Sequence, residues 1–433
     1  MRFRSEWRTG VAFSFRVWQA AEGGRAATEL RLGRGTLLEH HASSPDLRTA
    51  LRAAVSDASS SLELPDDARE TLTRLRTLFT EAGLPGDLHL SIITPQGWSL
   101  LNMVGLLEGA LAEEAVPLAL AGSGTRQLAL FRLASALIEG SPIVLLDEPE
   151  FGFEPYRQRR LVTDIRTAIG ERGQAFLTTH SPAILQALNA GEISRLDVGL
   201  NPVGLSGRHI GRVQKESPDA LLSRLPILCE GATEAGFLDP VLNGFAEGDH
   251  LADIDALGIR LLGRTGQPTV LDEADELLNA GLACGLFVDN EKEHSGRRAN
   301  LAAQHRCAFG TWSGVCNIEE AVAKWLPWDQ LPRVLGLAAS LRKRPLDDLL
   351  QQVGDCIGKP GANSLGALRT DFGEDKVRDS LASAMQSKKN AWFKTSDGGL
   401  ALGQLILDLG VPAEMLSTIE PFWHRVRQEA GWG

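Results

Sequence analysis

The chain has 433 residues, 43% hydrophobic and 23% charged, with nine Trp. That is long for one domain and rich enough for real cores, which excludes a disordered, collagenous or coiled-coil chain. Lys and Arg number 44 against 55 Asp and Glu, a net charge of −11, whereas proteins that coat DNA regardless of sequence are normally basic, so contact with nucleic acid must come through a local patch or through metal ions.

No apolar run reaches the ~18 residues that cross a bilayer, and MRFRSEWRTG at the start has no signal-peptide core. Five cysteines (Cys229, Cys284, Cys307, Cys316 and Cys356) without a CxxC spacing read as free thiols in a reducing cytoplasm and not as a zinc site. The expectation is a cytoplasmic protein with no membrane partner.

In chain order, VAFSFRVW (11–18) alternates as a strand, followed by Gly-rich AEGGRAA and a second short strand, TELRL (28–32). From Pro45 to about Gly83 the apolar spacing is helical, as in LRTALRAAV and ARETLTRLRTLF. LHLSII (88–93) predicts a strand, and residues 100–140 a return to helix, with SGTRQLALFRLASALIEG (123–140) as one pattern. The strand PIVLLD (142–147) follows, then a helix from Arg159 to Ile169, then the strand AFLTTH (175–180). Strands alternating with helices predict an α/β fold with a largely parallel, doubly wound sheet. Gly, Asn, Pro and Ser punctuate 196–224 and mark a boundary. A second α/β unit opens with RLPILCEG (224–231) and continues through GIRLLG (258–263) and ACGLFVDNE (283–291) to about 325. The remainder is mainly helical, and no fixed-period repeat is visible.

Three motifs in the first half carry chemistry. GSGTRQL (122–128) is a Gly-rich turn opening a helix, where backbone N–H groups and the helix dipole suit a phosphate; a well-capped helix would look the same. PIVLLDEPE (142–150) is a buried strand running into Asp147 and Glu148. That places both at the carboxyl edge of a parallel sheet, where ligands bind; Asp147 suits Mg²⁺ and Glu148 the positioning of an attacking water. AFLTTHSP (175–182) brings His180 to the end of a neighbouring strand. In the second half, PILCEGATEAGFL (226–238) ends a strand in Glu230, turns at Gly231 and carries Glu234 in a first helical turn. ACGLFVDNEKE (283–293) ends another strand in Asp289 and Glu291. Carboxylates from two strand ends can meet at one sheet edge, and oxygen-only donors suit Mg²⁺ or Mn²⁺ and not zinc. Two such ions can activate water and stabilise the leaving oxygen of a phosphodiester. Solvated acidic loops are the alternative.

The first three motifs together resemble the C-terminal lobe of an ABC-type ATPase over roughly 85–190: GSGTRQL the signature, LLDEPE a Walker B with its catalytic glutamate, TTHSP the switch-histidine segment. The resemblance implies that Gly122, Ser123 and Gly124, with Arg126 and Gln127 of the same motif, contact ATP bound mainly by another subunit. A homodimer or higher homo-oligomer would form through this lobe. Glu154-Pro155 stands where OLD-type ATPases have His-Pro. A P-loop, GxxxxGK[ST], is missing from the sequence. The one Gly-Lys is Gly358-Lys359, followed by Pro360, and GRGTLLE (33–39) has no lysine. The expectation is that the P-loop segment is truncated or diverged and that ATP hydrolysis by this chain is weak.

The second half resembles a Toprim domain, and an ABC-type lobe followed directly by Toprim resembles the OLD (overcoming lysogenization defect) nucleases. That resemblance implies metal ligands Glu230, Glu234, Asp289 and Glu291, with a further acid in TWSGVCNIEEAV (311–322), where Glu319 is chosen over Glu320. It also implies a C-terminal catalytic lysine in KKNAWFKTSDG (388–398): Lys394, with Lys388 and Lys389 as rivals. The implied organisation is an ATPase lobe (1–215), a Toprim core (222–325) and a helical extension (326–433). The implied activity is metal-dependent cleavage of DNA using two Mg²⁺ or Mn²⁺ ions, in phage defence or DNA repair. The alternative is a non-catalytic, ATP-gated assembly protein that recruits another effector. RKR (342–344) and KKNAWFK (388–394) are the candidate phosphate contacts, with Trp392 stacking on a base. The single tyrosine, Tyr156, lies beside Walker B, which argues against a topoisomerase nucleophile.

Overall fold

A computed structural model of the chain describes residues 15–19, 66–81, 84, 86–92, 104–108, 116–136, 142–196, 199–387 and 390–432. It is a mixed α/β protein with parallel sheets and many helices, separating into two units, residues 1–188 and 189–433.

The first unit contains β1 (Phe15–Gln19), α1 (Asp66–Glu81), β2 (Leu88–Ile92), β3 (Val104–Glu108), β4 (Val116–Pro117), α2 (Ser123–Ser135), β5 (Ile143–Asp147), α3 (Pro155–Ile169), β6 (Gln174–Thr178) and α4 (Pro182–Ala187). β5 pairs in parallel with β1 and β6, in the order β1-β5-β6, and the register aligns Gln19, Asp147 and Thr178 at one carboxyl edge. A separate antiparallel sheet, β2-β3-β4, runs beside it in sequence. Here the helix expected over 100–140 is corrected: 104–108 and 116–117 are strands, and helix begins only at Ser123. VGLLE is an apolar run too short to show a period, and its pairing with β2 (Leu88↔Glu108 to Ile92↔Val104) decides its conformation. Helix α1 buries Ala68, Leu72, Leu75 and Phe79, one stripe at helical spacing, against Leu88, Leu106, Leu130 and Leu146. Helix α3 starts at Pro155, four residues before the expected Arg159, because proline's fixed φ and missing N–H suit a first helical position. TELRL, GRGTLLE and the expected helix from Pro45 to 65 lie outside the described residues.

The second unit opens with a hairpin, β7 (Ser194–Leu196) and β8 (Pro202–Gly204), and two short helices, α5 (Arg208–Glu216) and α6 (Pro218–Leu222). Its sheet is built from β9 (Leu225–Cys229), α7 (Ala232–Gly248), β10 (Ile259–Gly263), α8 (Gln267–Asn279), β11 (Cys284–Val288), α9 (Ser295–Ala302) and β12 (Cys307–Thr311). All four strands are parallel, in the order β10-β9-β11-β12. β9 and β11 are central and buried along their whole length, which is why LPILC and CGLFV are continuous apolar runs and not alternations. Helix α10 (Ile318–Trp325) then leads into α11 (Leu331–Arg342), α12 (Leu346–Ile357), α13 (Leu365–Phe372), α14 (Glu374–Met385), α15 (Ser396–Leu409) and α16 (Ala413–Glu429).

Aromatic packing closes one face of this sheet. Phe287 meets Trp312 and Phe422 edge-on, with ring centroids 5.3 and 5.2 Å apart. Gly310 leaves room for both Phe rings, since a Cβ there would fall 2.6 Å from Phe287 and 2.8 Å from Phe422. Glycine also governs the approach of α15 to α7. A Cβ on Gly399 would lie 2.1 Å from the Thr233 carbonyl oxygen, one on Gly403 2.5 Å from that of Phe237, and one on Gly236 2.1 Å from that of Ser396. The two backbones touch, which fixes residues 393–396 beside the first turn of α7. Among the described residues no single helix is long and apolar enough to cross a membrane.

Gly399→Val is therefore expected to destabilise the protein by at least about 1–3 kcal/mol, the usual cost of overpacking. Gly296→Ala, at an open position on α9, is expected to change stability by less than about 0.5 kcal/mol; urea unfolding midpoints compare the two.

Candidate functional site

At the carboxyl edge of β5 and β6 in the first unit, Asp147 and Glu148 leave the sheet together. Glu148 adopts φ +45°, a left-handed backbone that a non-glycine residue holds at a cost. Its amide donates to the Thr178 hydroxyl at 3.1 Å, and that hydroxyl donates to Asp147 Oδ1 at 2.6 Å. His180 Nε2 stands 3.3 Å from Glu148 Oε1, with the imidazole 86% and the carboxylate 39% exposed. Glu150 is buried; its Oε1 accepts from the Thr179 hydroxyl and from the His180 amide at 3.2 Å, and its Oε2 has no partner. The structure thus brings Asp147, Glu148 and His180 together. Glu150, Thr178 and Thr179 organise them and were not singled out from sequence, although the two threonines before the histidine were the available signal.

Gly122 precedes α2 without a side-chain cap. Gly124 packs on the turn after Glu148, since a Cβ there would lie 2.5 Å from the Gly152 carbonyl oxygen, and Gly152 (φ +80°) has no room for a Cβ beside Ser123. Within this motif Gly122 and Ser123 are exposed, whereas Gln127 is buried and Arg126 donates to the Ala119 carbonyl at 3.2 Å.

In the second unit β9 and β11 are neighbours, and each ends in a carboxylate. Glu230 Oε2 accepts from the Asp289 amide at 3.3 Å and from Gln267 Nε2 at 3.0 Å. Gln267, 1% exposed, also donates to the Asp289 carbonyl at 2.8 Å. Arg298, 6% exposed, donates to Gln267 Oε1, to the Asp289 and Glu291 carbonyls and to Asn290 Oδ1. These two buried side chains lock the loop after β11, and neither was foreseen: Gln267 reaches partners in loops far from it in sequence, and Arg298 reads as an ordinary helical arginine.

Asp289 Oδ1 is buried without a partner. Burial pushes the Asp289 carboxyl up to about 9, helped by the negative charges of Glu234, Glu230, Glu319 and Glu291. Burial likewise raises Glu234 to about 7, with Glu319 and Glu230 adding to it. Glu319 is also raised by burial, partly offset by the charge of Lys394. The four carboxylates Glu230, Glu234, Asp289 and Glu319 therefore share one electrostatic neighbourhood, to which the charges of Glu291 and Lys394 also contribute.

The choice between Glu319 and Glu320 follows from helix capping. Asn317 caps α10 by accepting from the Glu320 amide at 3.0 Å, and the Glu320 carboxylate reaches back to the Cys316 amide at 2.7 Å. Glu320 is occupied in the cap, leaving Glu319 to the cluster. Lys394 is exposed, and the preceding Phe393 carbonyl accepts from the Thr233 hydroxyl at 2.9 Å, one residue before Glu234. Lys388 and Lys389 lie outside the described residues. Trp392 is buried and donates to Gln352 Oε1 at 3.0 Å; a stacking role on nucleic acid is corrected, because its ring faces core. Among the described residues no three His, Cys, Asp or Glu side chains converge on one point that an ion could occupy.

Because Asp289 and Glu234 bind protons more tightly folded than unfolded, their stabilising contribution is complete below about pH 4 and is lost as pH rises towards 7 and 9. Asp289→Asn is expected to be more stable than the parent in chelator at pH 8.5, by about 1–3 kcal/mol, with the difference vanishing near pH 4. Urea titrations at both pH values measure it.

A comparison with curated proteins finds no match. A family model described as "AAA domain, putative AbiEii toxin, Type IV TA system" matches residues 26–186. With Asp147, Glu148 and His180 grouped at one sheet edge inside that span, residues 26–186 form an AAA-type, ATPase-like domain similar to that family.

Proposed function

We propose that the chain is a metal-dependent DNA endonuclease of the OLD kind, in which the second unit is a Toprim-type nuclease and the ATPase-like domain governs nucleotide-responsive self-association. The observation that carries the reading is that Glu230 and Asp289 follow neighbouring parallel strands and are joined through the Asp289 amide, while the charges of Glu234 and Glu319 act on the same buried Asp289 carboxyl. Such crowding of like charge is costly unless a cation offsets it.

The donor set fits a hard divalent cation. Every candidate is a carboxylate, and Asp289 Oδ1 is a buried oxygen with no partner. Glu230, Glu234, Asp289, Glu291 and Glu319 would hold Mg²⁺ or Mn²⁺. When bound, the ions supply positive charge to the phosphodiester and make water a stronger nucleophile. Gln267 and Arg298 keep the Asp289 backbone fixed through the reaction. Lys394, a cation on an ordered segment, offsets negative charge that develops on the phosphate. RKR at 342–344 is a candidate for holding the DNA backbone, its residues being exposed.

For the first unit, the lack of GxxxxGK[ST] in the sequence supports weak ATP hydrolysis by this chain alone. Its one Gly-Lys closes α12, with Gly358 left-handed and Lys359 ion-paired to Asp371, which is not a phosphate loop. Exposed Phe151, Tyr156 and Phe176 near Glu148 support self-association through that face. A role in phage defence or repair belongs to the same proposal. One observation favours a non-catalytic, ATP-gated assembly protein instead: the carboxylates do not enclose an ion as they stand.

Supercoiled plasmid with Mn²⁺ or Mg²⁺ separates the readings. Nicking is expected from the parent chain, none from Asp289→Asn, and about 100-fold slower nicking from Lys394→Ala. No nicking, or equal nicking by Asp289→Asn, would leave only the assembly protein. In ATPase assays the parent is expected to match Glu148→Gln, both near background; robust turnover lost in Glu148→Gln overturns the P-loop reading.

A further inference from the structure

The opposite end of the second unit's sheet carries a cavity of about 370 Å³. Its lining comes from the amino ends of β9, β11 and β12: Arg224 and Pro226, Leu282, and His305 with Arg306, joined by Arg195 from β7. The carboxylates described above follow the carboxyl ends of β9 and β11, so the strands themselves separate the two places, by about 16 Å at ~3.3 Å per residue.

The cavity is rich in arginine. Arg195 Nη2 and Arg306 Nη1 both donate to one neutral acceptor, the Gly281 carbonyl oxygen, at 2.8 and 2.6 Å. Arg195 Nε is buried with no partner at all. The Arg224 guanidinium lies 4.6 Å from the Trp432 ring centroid, on an aromatic face and not on a carboxylate. None of the three has an acidic partner among the described residues. The one acid in the lining, Glu429, is already paired with Arg425 at 3.3 Å. In a chain of net charge −11, three guanidinium groups brought together without an acidic partner among the described residues are a specific feature, and two of them converge on a single carbonyl oxygen. Forked N–H donors of this kind match the oxygens of a phosphate.

Shape narrows the class. The volume is that of a small-molecule site and is too small for a duplex. Pro226, Leu221 and Leu282 give an apolar wall beside the arginines, which suits a ligand with an apolar or aromatic body attached to its anion. We propose that this cavity binds a phosphomonoester of mononucleotide size, with Arg195 and Arg306 holding the phosphate and the apolar wall receiving the rest. This goes beyond the nuclease reading and does not depend on it.

Calorimetric titration of the full chain in chelator, with adenosine monophosphate, adenosine and inorganic phosphate as separate probes, tests the proposal. The expected result is saturable binding of the monophosphate, at least tenfold weaker binding of phosphate, none of adenosine, and weakening with added salt. Arg306→Glu, at an exposed position, should lower monophosphate affinity at least tenfold while leaving Mn²⁺-dependent plasmid nicking unchanged; Arg195→Ala should act in the same direction. A 5′-phosphorylated oligonucleotide binding tenfold more tightly than the monophosphate would make a strand end the natural source of the group. No saturable binding of monophosphate or phosphate overturns the proposal, as does equal affinity in the parent and a folded Arg306→Glu chain.

Discussion

Two neighbouring parallel strands, β9 and β11, end at the same level of the sheet, and each runs directly into a carboxylate. Parallel pairing leaves no choice in this. Pairing of β9 with β11 brings the two positions side by side, and the Glu230 carboxylate turns to accept the Asp289 backbone amide. Gln267 and Arg298 bind carbonyl oxygens of the same loop; burial first, and the neighbouring acids second, make Asp289 take up a proton far more readily than an ordinary aspartate, and the charge of Lys394 works the other way on Glu319.

The second constraint is the glycine contact between α7 and α15. Helices normally pack 8–10 Å apart, held off by their side chains; here Gly236, Gly399 and Gly403 bring backbone against backbone. The contact joins residues about 160 positions apart and places an exposed lysine at the first turn that carries Glu234. The site therefore depends on residues with no side chain at all.

Much of this was legible in the sequence, and what was not has physical causes. Strand ends were clear because PILCEG and LFVDNE are apolar runs that stop at acids, and a run buried on both faces needs no alternation. The residues 104–108 were not, since a run as short as VGLLE fits either period and only pairing with β2 decides. Glu319 against Glu320 was decidable in principle, because Asn317-x-x-Glu320 is a capping box that claims the second glutamate. Arg298 and Gln267 were not decidable: both sit in ordinary helical sequence, Gln267 meets loops that follow two strands, and Arg298 turns back onto the loop before its own helix. Trp392 was misassigned because an aromatic between lysines looks the same whether its ring faces solvent or core.

The Thr178 hydroxyl in the first unit has one further consequence. It receives the Glu148 N–H and gives its own proton to Asp147, and an amide N–H cannot accept. The hydrogen-bond direction across the β5–β6 edge is thereby fixed: Asp147 always faces a donor, and the unfavourable backbone of Glu148 always faces a lone pair. A side chain of the same shape without the oxygen would strand both at once, so this one atom ties the backbone conformation of Glu148 to the placement of the Asp147 carboxylate.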